Sequence, residues 1–335
     1  MSEETLVQLY PYNTFHIHAF AHQFAKFSSV DELKSLIKKY PNTTPYILGG
    51  GSNILITENI SEPIFKNEIK GIEIINENEQ EIYVRAGAGE IWNDLVNFAV
   101  GRNFCGIENL ALIPGSVGAS PMQNIGAYGV EIKDVFYELE ALHIRDQVIR
   151  NFSATDCKFG YRESVFKNEL KNKFVILNVT VRLSKNQDFN ISYGALKQEI
   201  EKTDQQLTSK LIAETVSNIR RSKLPDPRVI GNAGSFFKNP VVSGEAFKLL
   251  QEKYPGIPSF PFGNQIKIPA AWLIEQCGFK GYRLGDAGCH EKQPLVLVNF
   301  GNATGSDLLS LATEIEEKVY RCFSVRLSRE VNIWP

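Results

Sequence analysis

No stretch of this sequence approaches the roughly eighteen uninterrupted apolar residues of a membrane span, so no membrane-spanning helix is expected. Charge of one sign is scarce as well. The formal net charge is −2 and no run of five like charges occurs, which argues against a nucleic-acid partner or an anionic membrane surface. The opening Met1-Ser-Glu-Glu4 is acidic and has no apolar core, so it is not expected to act as a signal peptide. Cysteine is limited to Cys105, Cys157, Cys277, Cys289 and Cys322, an odd number with no C-x-x-C pair. That argues against a disulfide framework or zinc knuckle and fits a reducing cytoplasm. His16, His18 and His22 lie close together but lack an acidic or thiol partner at a ligand spacing, so no metal is expected. Internal repeats and low-complexity segments are missing too.

What is present is a chain of 335 residues, 43% hydrophobic and 22% charged, long enough for two or three globular domains. Its most informative segment is Gly231-Asn-Ala-Gly-Ser235-Phe-Phe-Lys238-Asn239-Pro240. The glycines allow backbone angles closed to other residues, so the Ser235 hydroxyl can be presented where a bulkier neighbour would intrude. A serine held beside an ammonium and an amide can move a proton. The segment also reads as an ordinary turn with a solvated serine.

Two other clusters carry glycine. Tyr46–Leu48 and Ile54–Ile56 read as short strands on either side of Gly49-Gly50-Gly51-Ser52-Asn53, a backbone whose N–H groups can converge on phosphate oxygens. The order strand–glycines–strand, without G-x-G-x-x-G, is not that of a Rossmann unit, and a glycine-rich hairpin answers the same pattern. The run Ile113–Gly129 holds four glycines, four other small residues and two amides in seventeen positions, with no charged side chain. Surface loops are more polar and helices reject this much glycine, so close approach of backbone to a flat or diphosphate-bearing ligand explains it better.

Around these clusters the pattern is α+β. Lys70–Ile75 and Gln80–Arg85 predict a hairpin. Ile91, Leu95, Phe98 and Ala99 share a helix face closed by Gly101, and Val175 through Leu183 alternate as a half-buried strand. Lys223-Leu-Pro225-Asp-Pro227 marks a boundary, because prolines stop a helix and stiffen the chain. Beyond it, Ala270–Cys277 predicts a helix ended by Gly278, Leu295–Asn299 a buried strand, and Leu308 through Cys322 a helix capped by Ser306. Val325, Leu327, Val331 and Ile333 alternate along a last strand. Glu330 lies opposite that apolar face, toward solvent or a cavity.

With these motifs in order, from Asn13-Thr-Phe15 through Tyr161-Arg162-Glu-Ser164 to Arg329-Glu330-Val331, the chain resembles the UDP-N-acetylenolpyruvoylglucosamine reductase family over nearly its whole length. The Ser-Tyr193-Gly segment is similar to the tyrosine-bearing insertion of the family's type I branch. The resemblance implies a vanillyl-alcohol-oxidase/PCMH-type FAD-binding fold in two subdomains, with a C-terminal α/β substrate-binding domain. The expected division is 1–65 (completed by 325–335), 66–222 with the insertion near 193, and 223–324. FAD is expected along Gly49, Gly50, Gly51, Ser52, Asn53 and Ile54, and along Ile113, Pro114, Gly115, Ser116, Gly118, Ala119, Gln123, Asn124, Gly126 and Gly129. Binding is expected to be non-covalent, since residues 48 to 54 contain neither histidine nor cysteine.

The implied chemistry is reduction of UDP-N-acetylglucosamine enolpyruvate. Hydride passes from the co-substrate NADPH to flavin N5 and on to C3 of the enolpyruvyl ether, and Ser235 gives a proton to C2. Arg162 and Glu330 stabilise the negative charge that spreads into the carboxylate. Tyr193, Lys223, Asn239 and Gln293 hold the UDP-sugar, with Arg220 as a nucleotide neighbour. A cytoplasmic monomer is expected. Read without the family, Tyr161-Arg162 can be a surface pair, Glu330 a wet strand position, and Lys223 a lysine at a helix C-terminus. Two other functions stay open: a related FAD-dependent alcohol or lactone oxidase, and a catalytically silent UDP-sugar-binding protein. The chain also departs from the family pattern. Ser328-Arg329-Glu330-Val331 stands where Glu-Pro-Glu-Val is common, Gly50 stands where an acidic residue is frequent, and Gly288-Cys289-His290 is locally unusual.

Overall fold

The computed structural model describes residues 3–4 and 6–335. The reading of Met1-Ser-Glu-Glu4 as no signal peptide falls partly on residues outside those described. The chain divides into two compact units: residues 1–7, 21–50 and 61–222, and residues 8–20, 51–60 and 223–335.

The first unit contains two sheets. One has the order Glu3–Glu4, Phe24–Phe27, Ile64–Asn67, Tyr46–Leu48, and its last three strands are parallel. Helix Val30–Lys39 covers it, burying Leu33 and Leu36 beside Phe27 and Phe65. That helix begins where its sequence says it should. Ser29 accepts from the Glu32 N–H at 3.2 Å, and the Glu32 carboxylate reaches back to the Ser28 N–H at 2.7 Å. The other sheet is antiparallel, in the order Ile149–Ser153, Phe136–His143, Phe174–Ser184, Glu81–Gly87, Ile72–Glu77. Helices Trp92–Val100 and Ser209–Lys223 contribute Trp92, Leu95, Val96, Ile212 and Val216 to its core.

Phe174–Ser184 corrects the reading of one half-buried face. Val175 and Leu177 pack in one core, whereas Val179, Val181 and Leu183 pack in the other. A register irregularity against Glu140/Ala141 inserts an extra residue there, and an extra residue reverses which side chains face which way. The expected hairpin forms at Ile72–Glu77 and Glu81–Gly87. Ile91 leaves the helix face assigned to it: it precedes the first turn and is 52% exposed.

The second unit has a sheet in the order Gly231–Ser235, Val296–Asn299, Ala287–Cys289, Arg283–Leu284, backed by helix Gly305–Phe323. A small three-stranded sheet, Val241–Ser243, Gln265–Lys267 and Phe260–Phe262, and helix Ala270–Gln276 complete it. Thr304, not Ser306, caps the long helix. Thr304 and Asp307 bond each other's N–H groups reciprocally at 3.1 and 2.8 Å, an arrangement Ser306 has no partner to match. The last strand is shorter than its alternation suggested. Only Asn332–Trp334 forms a strand, parallel to Ile54–Ile56, and Ile333 is exposed. Val325, Leu327 and Val331 are buried as expected, but the 325–331 segment meets its neighbour through one isolated bridge, too little for a ladder.

Tyr46–Leu48 and Ile54–Ile56 pair with different strands, so the glycines between them do not close a hairpin. No helix among the described residues is long and apolar enough to cross a membrane. Burial pushes the Cys105 thiol up to about 11 and those of Cys157, Cys277 and Cys289 to about 12, which keeps them protonated and inert at neutral pH.

Candidate functional site

In the first unit the two glycine-rich runs meet. A Cβ on Gly49 would collide with the Ser116 hydroxyl, and one on Gly50 would lie 2.9 Å from the Gly115 Cα. The second run is itself tied down. The Trp92 N–H donates to the Gly115 carbonyl at 3.0 Å, the Asn93 side chain accepts from the Leu112 N–H at 2.6 Å, and the Gly118 N–H donates to the Ala88 carbonyl at 2.9 Å. A Cβ on Gly118 would come within 2.6 Å of Ala88 Cβ. Glycine is therefore required here by close approach of protein to protein, backbone on backbone at Gly50 and side chain on backbone at Gly49 and Gly118. The N–H groups of Gly50, Gly115 and Ser116 meet no protein acceptor among the described residues. Gly50→Ala is expected to push the loops apart and weaken flavin retention by about tenfold or more, in line with overpacking of a tight contact. Flavin absorbance per mole of purified protein checks this, and an undiminished ratio would refute it.

Asn124 is fully buried and its amide is committed to the protein. It donates to Glu131 Oε2 at 3.0 Å and to the Gly160 carbonyl at 2.9 Å, and accepts from the Lys133 N–H at 3.1 Å. Its side chain therefore serves the protein and has nothing left for a ligand. By gripping Gly160 it fixes the Gly160–Glu163 turn that carries Arg162, whose own φ is +54°. Arg162 Nη2 donates to the Gly126 carbonyl at 2.6 Å and Nη1 to that of Asn124 at 3.4 Å. A Cβ on Gly126 would stand 3.0 Å from the Arg162 guanidinium, so this glycine makes room for it.

Arg220, in helix Ser209–Lys223, has an enclosed Nε with no hydrogen-bond partner. Burial holds its pKa below the usual guanidinium value, the Tyr128 phenol partly offsets that, and the like charge of Arg162 adds to it. Tyr128 stacks edge-on against the exposed Tyr193, with ring centroids 5.3 Å apart. Burial raises the Tyr128 phenol and Arg220 pulls it back. Two neighbouring cations, one with an orphaned buried donor, are costly unless an anion shares the space. Tyr128 belongs to the Ile113–Gly129 run, whose local pattern assigns it no role. The one signal was a large aromatic among small residues.

In the second unit, Ser235 closes strand Gly231–Ser235. Between Asn232 and Ser235 the pairing with Val296–Asn299 slips, Gly234 takes φ +70°, and the Asn232 side chain accepts from the Gly234 N–H at 3.0 Å. Such a bulge re-aims the side chain that follows. Phe236 and Phe237 are fully buried just after it, which anchors the half-buried serine. The Glu330 N–H donates to the Phe236 carbonyl at 2.8 Å and the Lys238 N–H to the Ser328 carbonyl at 2.8 Å, so the serine and glutamate segments run bonded side by side. Asn53 joins them. Its side chain donates to the Glu330 carbonyl at 3.4 Å, and its own carbonyl accepts from the Asn332 N–H at 3.0 Å. Gly51 in turn accepts from the Thr14 N–H at 3.1 Å, and the Thr14 carbonyl accepts from the Asn232 N–H at 2.8 Å. Gly51, Asn53, Ser235 and Glu330 thus belong to one hydrogen-bonded cluster.

Arg329, part of one departure from the family pattern, forks onto Glu316 with contacts of 2.7 and 2.8 Å and reaches Thr313 Oγ1 at 3.1 Å. The stiffness a proline would supply next to Glu330 is replaced by a bidentate tie to helix Gly305–Phe323. The Asn239 oxygen accepts from the Ala270 N–H at 2.9 Å, which leaves its NH2 group to face a ligand. Gln293 Oε1 is buried without a partner, and Lys223 is exposed at the end of its helix. Arg162, Arg220, Tyr193, Gly49 and Gly50 lie in the first unit, and Ser235, Glu330, Asn239, Gln293 and Lys223 in the second.

Residues 226–334 match the family model described as UDP-N-acetylenolpyruvoylglucosamine reductase, C-terminal domain, and residues 21–150 match one described as FAD binding domain. The UDP-N-acetylenolpyruvoylglucosamine reductase of Flavobacterium johnsoniae is 46% identical over 325 residues, 96% of each chain. That of Pseudomonas putida is 41% identical over 332 residues, 98% of each. The crystal structure of the Thermus caldophilus reductase superposes with a TM-score of 0.70 at 24% identity over all of both chains, a likeness of fold.

Proposed function

Because the chain belongs to the UDP-N-acetylenolpyruvoylglucosamine reductase family, we propose that it reduces UDP-N-acetylglucosamine enolpyruvate to UDP-N-acetylmuramate, a step of bacterial peptidoglycan synthesis, with NADPH as reductant. Its FAD-binding domain covers both glycine runs, and their unclaimed N–H groups and Cβ-free contacts fit a diphosphate held on backbone. FAD, when bound, supplies the relay that takes hydride from NADPH and delivers it to C3 of the substrate. No histidine or cysteine lies in residues 48 to 54, so we assign non-covalent binding.

This chain's own residues handle the charge and the proton. Hydride addition at C3 leaves negative charge at C2 that spreads into the neighbouring carboxylate, and donors preorganised for that charge lower the barrier more than uniform binding does. We assign Arg162 and Glu330 to the carboxylate. Arg162 provides a planar fork already docked on two carbonyls, and Glu330, when it carries a proton, provides an O–H donor. Ser235 then donates its proton to C2. An enediolate carbon is basic enough to take a proton from an alcohol. Tyr193, Lys223, Asn239, Gln293 and Arg220 are assigned to the UDP-sugar. The orphaned acceptor of Gln293 calls for a ligand N–H or O–H, and the orphaned donor of Arg220 calls for a phosphate or carbonyl oxygen.

The observation that carries the assignment is the direct hydrogen bonding of Phe236 and Lys238, just after Ser235, to the Glu330 segment, with Asn53 of the flavin loop bonded to both Glu330 and Asn332. The division into 1–65 with 325–335, 66–222 and 223–324 is likewise our assignment, as are a monomeric state and a cytoplasmic location. The first test is anaerobic stopped-flow absorbance. Bleaching of the flavin by NADPH and recovery on adding the enolpyruvyl substrate is the expected result. Recovery with oxygen alone would favour an oxidase, and a colourless protein that still binds the UDP-sugar would favour a silent binder. Glu330→Gln is expected to keep its full flavin content while substrate-driven recovery slows roughly ten- to a hundredfold, since an amide N–H is a weaker donor than a carboxyl O–H. A variant purified without flavin would remove Glu330 from the chemistry.

A further inference from the structure

Lys66 is a residue to which neither the motifs nor the family assign a role. It lies in strand Ile64–Asn67, level with Lys26 on one neighbouring strand and Leu48 on the other, just before the glycine loop begins. Three lysines crowd this sheet end, and two of them have carboxylates: Lys26 with Glu68 at 3.3 Å and Lys70 with Glu90 at 3.4 Å. The Lys66 ammonium instead donates to the Gly49 carbonyl at 2.7 Å, and no carboxylate among the described residues pairs with it. Burial depresses its pKa, Glu68 partly opposes the shift, and Lys70 and Lys26 reinforce it. The protein keeps a half-buried lysine here whose ammonium is held by a backbone carbonyl rather than by a carboxylate.

The peptide that Lys66 holds is the one between Gly49 and Gly50. Among the described residues every peptide is trans, so the Gly49 carbonyl and the Gly50 N–H point in opposite directions within one plane. Fixing the carbonyl toward Lys66 aims the Gly50 N–H away from it, and that N–H has no protein acceptor. An ammonium on the carbonyl end also polarises the peptide and makes its N–H a stronger donor. A glycine at this position has no side chain to hold the peptide plane, so the orientation needs an outside clamp.

We propose that Lys66 is a positioning residue for the FAD diphosphate: it clamps the Gly49–Gly50 peptide so that the Gly50 N–H faces a phosphate oxygen, and its charge offsets that of the bound anion. This rests on FAD binding at the glycine runs. The test is fluorescence titration of flavin-stripped protein with FAD and, separately, with riboflavin, which has no phosphate. Lys66→Met is expected to weaken FAD roughly ten- to a hundredfold while leaving riboflavin affinity unchanged, and Lys66→Arg is expected to restore most of the loss. Equal weakening toward FAD and riboflavin would make Lys66 a merely structural residue and overturn the proposal. Unchanged FAD affinity in Lys66→Met would also overturn it, with the reductase reading intact. A wild-type protein that fails to bind FAD would overturn the reading on which it rests.

Discussion

Ser235→Ala is expected to leave NADPH-driven bleaching of the flavin within about twofold of wild type and to slow recovery by substrate about a thousandfold, the middle of the range for loss of a positioned proton donor. The asymmetry follows from what the hydroxyl is for. Reduction of the flavin needs no proton at substrate C2, whereas completion of the substrate half-reaction does. Folding is expected to be spared, because Ser235 is half-buried and its strand is held by the buried Phe236 and Phe237. The bulge that aims the residue depends on Asn232 and Gly234, both left intact by the substitution. Double-mixing stopped-flow, with NADPH first and the enolpyruvyl substrate second, separates the two steps. Equal slowing of both would show that Ser235 supports the site without donating to C2.

Arg162→Lys is expected to cost about a hundred- to a thousandfold in the same substrate step, comparable to removing one preorganised donor from a developing anion, with flavin content unchanged. The charge is conserved, so a purely electrostatic role would predict little effect. The geometry argues otherwise. The guanidinium is docked on the Gly126 and Asn124 carbonyls, and a planar fork can keep those contacts while still presenting donors to a carboxylate. An ammonium on a flexible stem must choose between them. The left-handed backbone at Arg162 makes no distinction between lysine and arginine, so the fold of the turn is unaffected. Activity of Arg162→Lys within threefold of wild type would reduce Arg162 to a counter-charge.

These two residues also mark how far local sequence carries. Ser235 was legible because its setting is local: glycine, small residues and two aromatics within ten positions dictate a turn with a buried anchor. The glycines at 49–51 and 115–118 were legible for the same reason, since glycine density reports backbone crowding whatever does the crowding. Their partners were not. Gly50 requires glycine because of Gly115, and Asn53 is bonded to the Glu330 carbonyl 277 residues away. The misplaced helix cap shows a smaller version of this. Ser306 satisfies the pattern of a cap, but Thr304 has Asp307 three residues on and wins by reciprocal bonding, while the Ser306 hydroxyl turns to the Thr57 carbonyl at 3.5 Å.

By itself the sequence determined the class of the protein and the positions at which backbone must come close to something. Apolar periodicity, glycine placement and the absence of membrane spans act within a few residues and need no tertiary context. Only the tertiary structure decided which close approaches are protein on protein, that Tyr128 and Arg162 come within electrostatic reach of Arg220 and its orphaned nitrogen, and that Lys66 holds the Gly49 carbonyl. It also decided the fate of the last strand. Alternation from Val325 to Ile333 states which side chains face inward, but strand pairing depends on which backbone lies alongside. Here that is Phe236–Lys238 through one bridge, then Ile54–Ile56. Hydrogen-bond register between segments far apart in sequence is a property of the packed chain, and no local pattern encodes it.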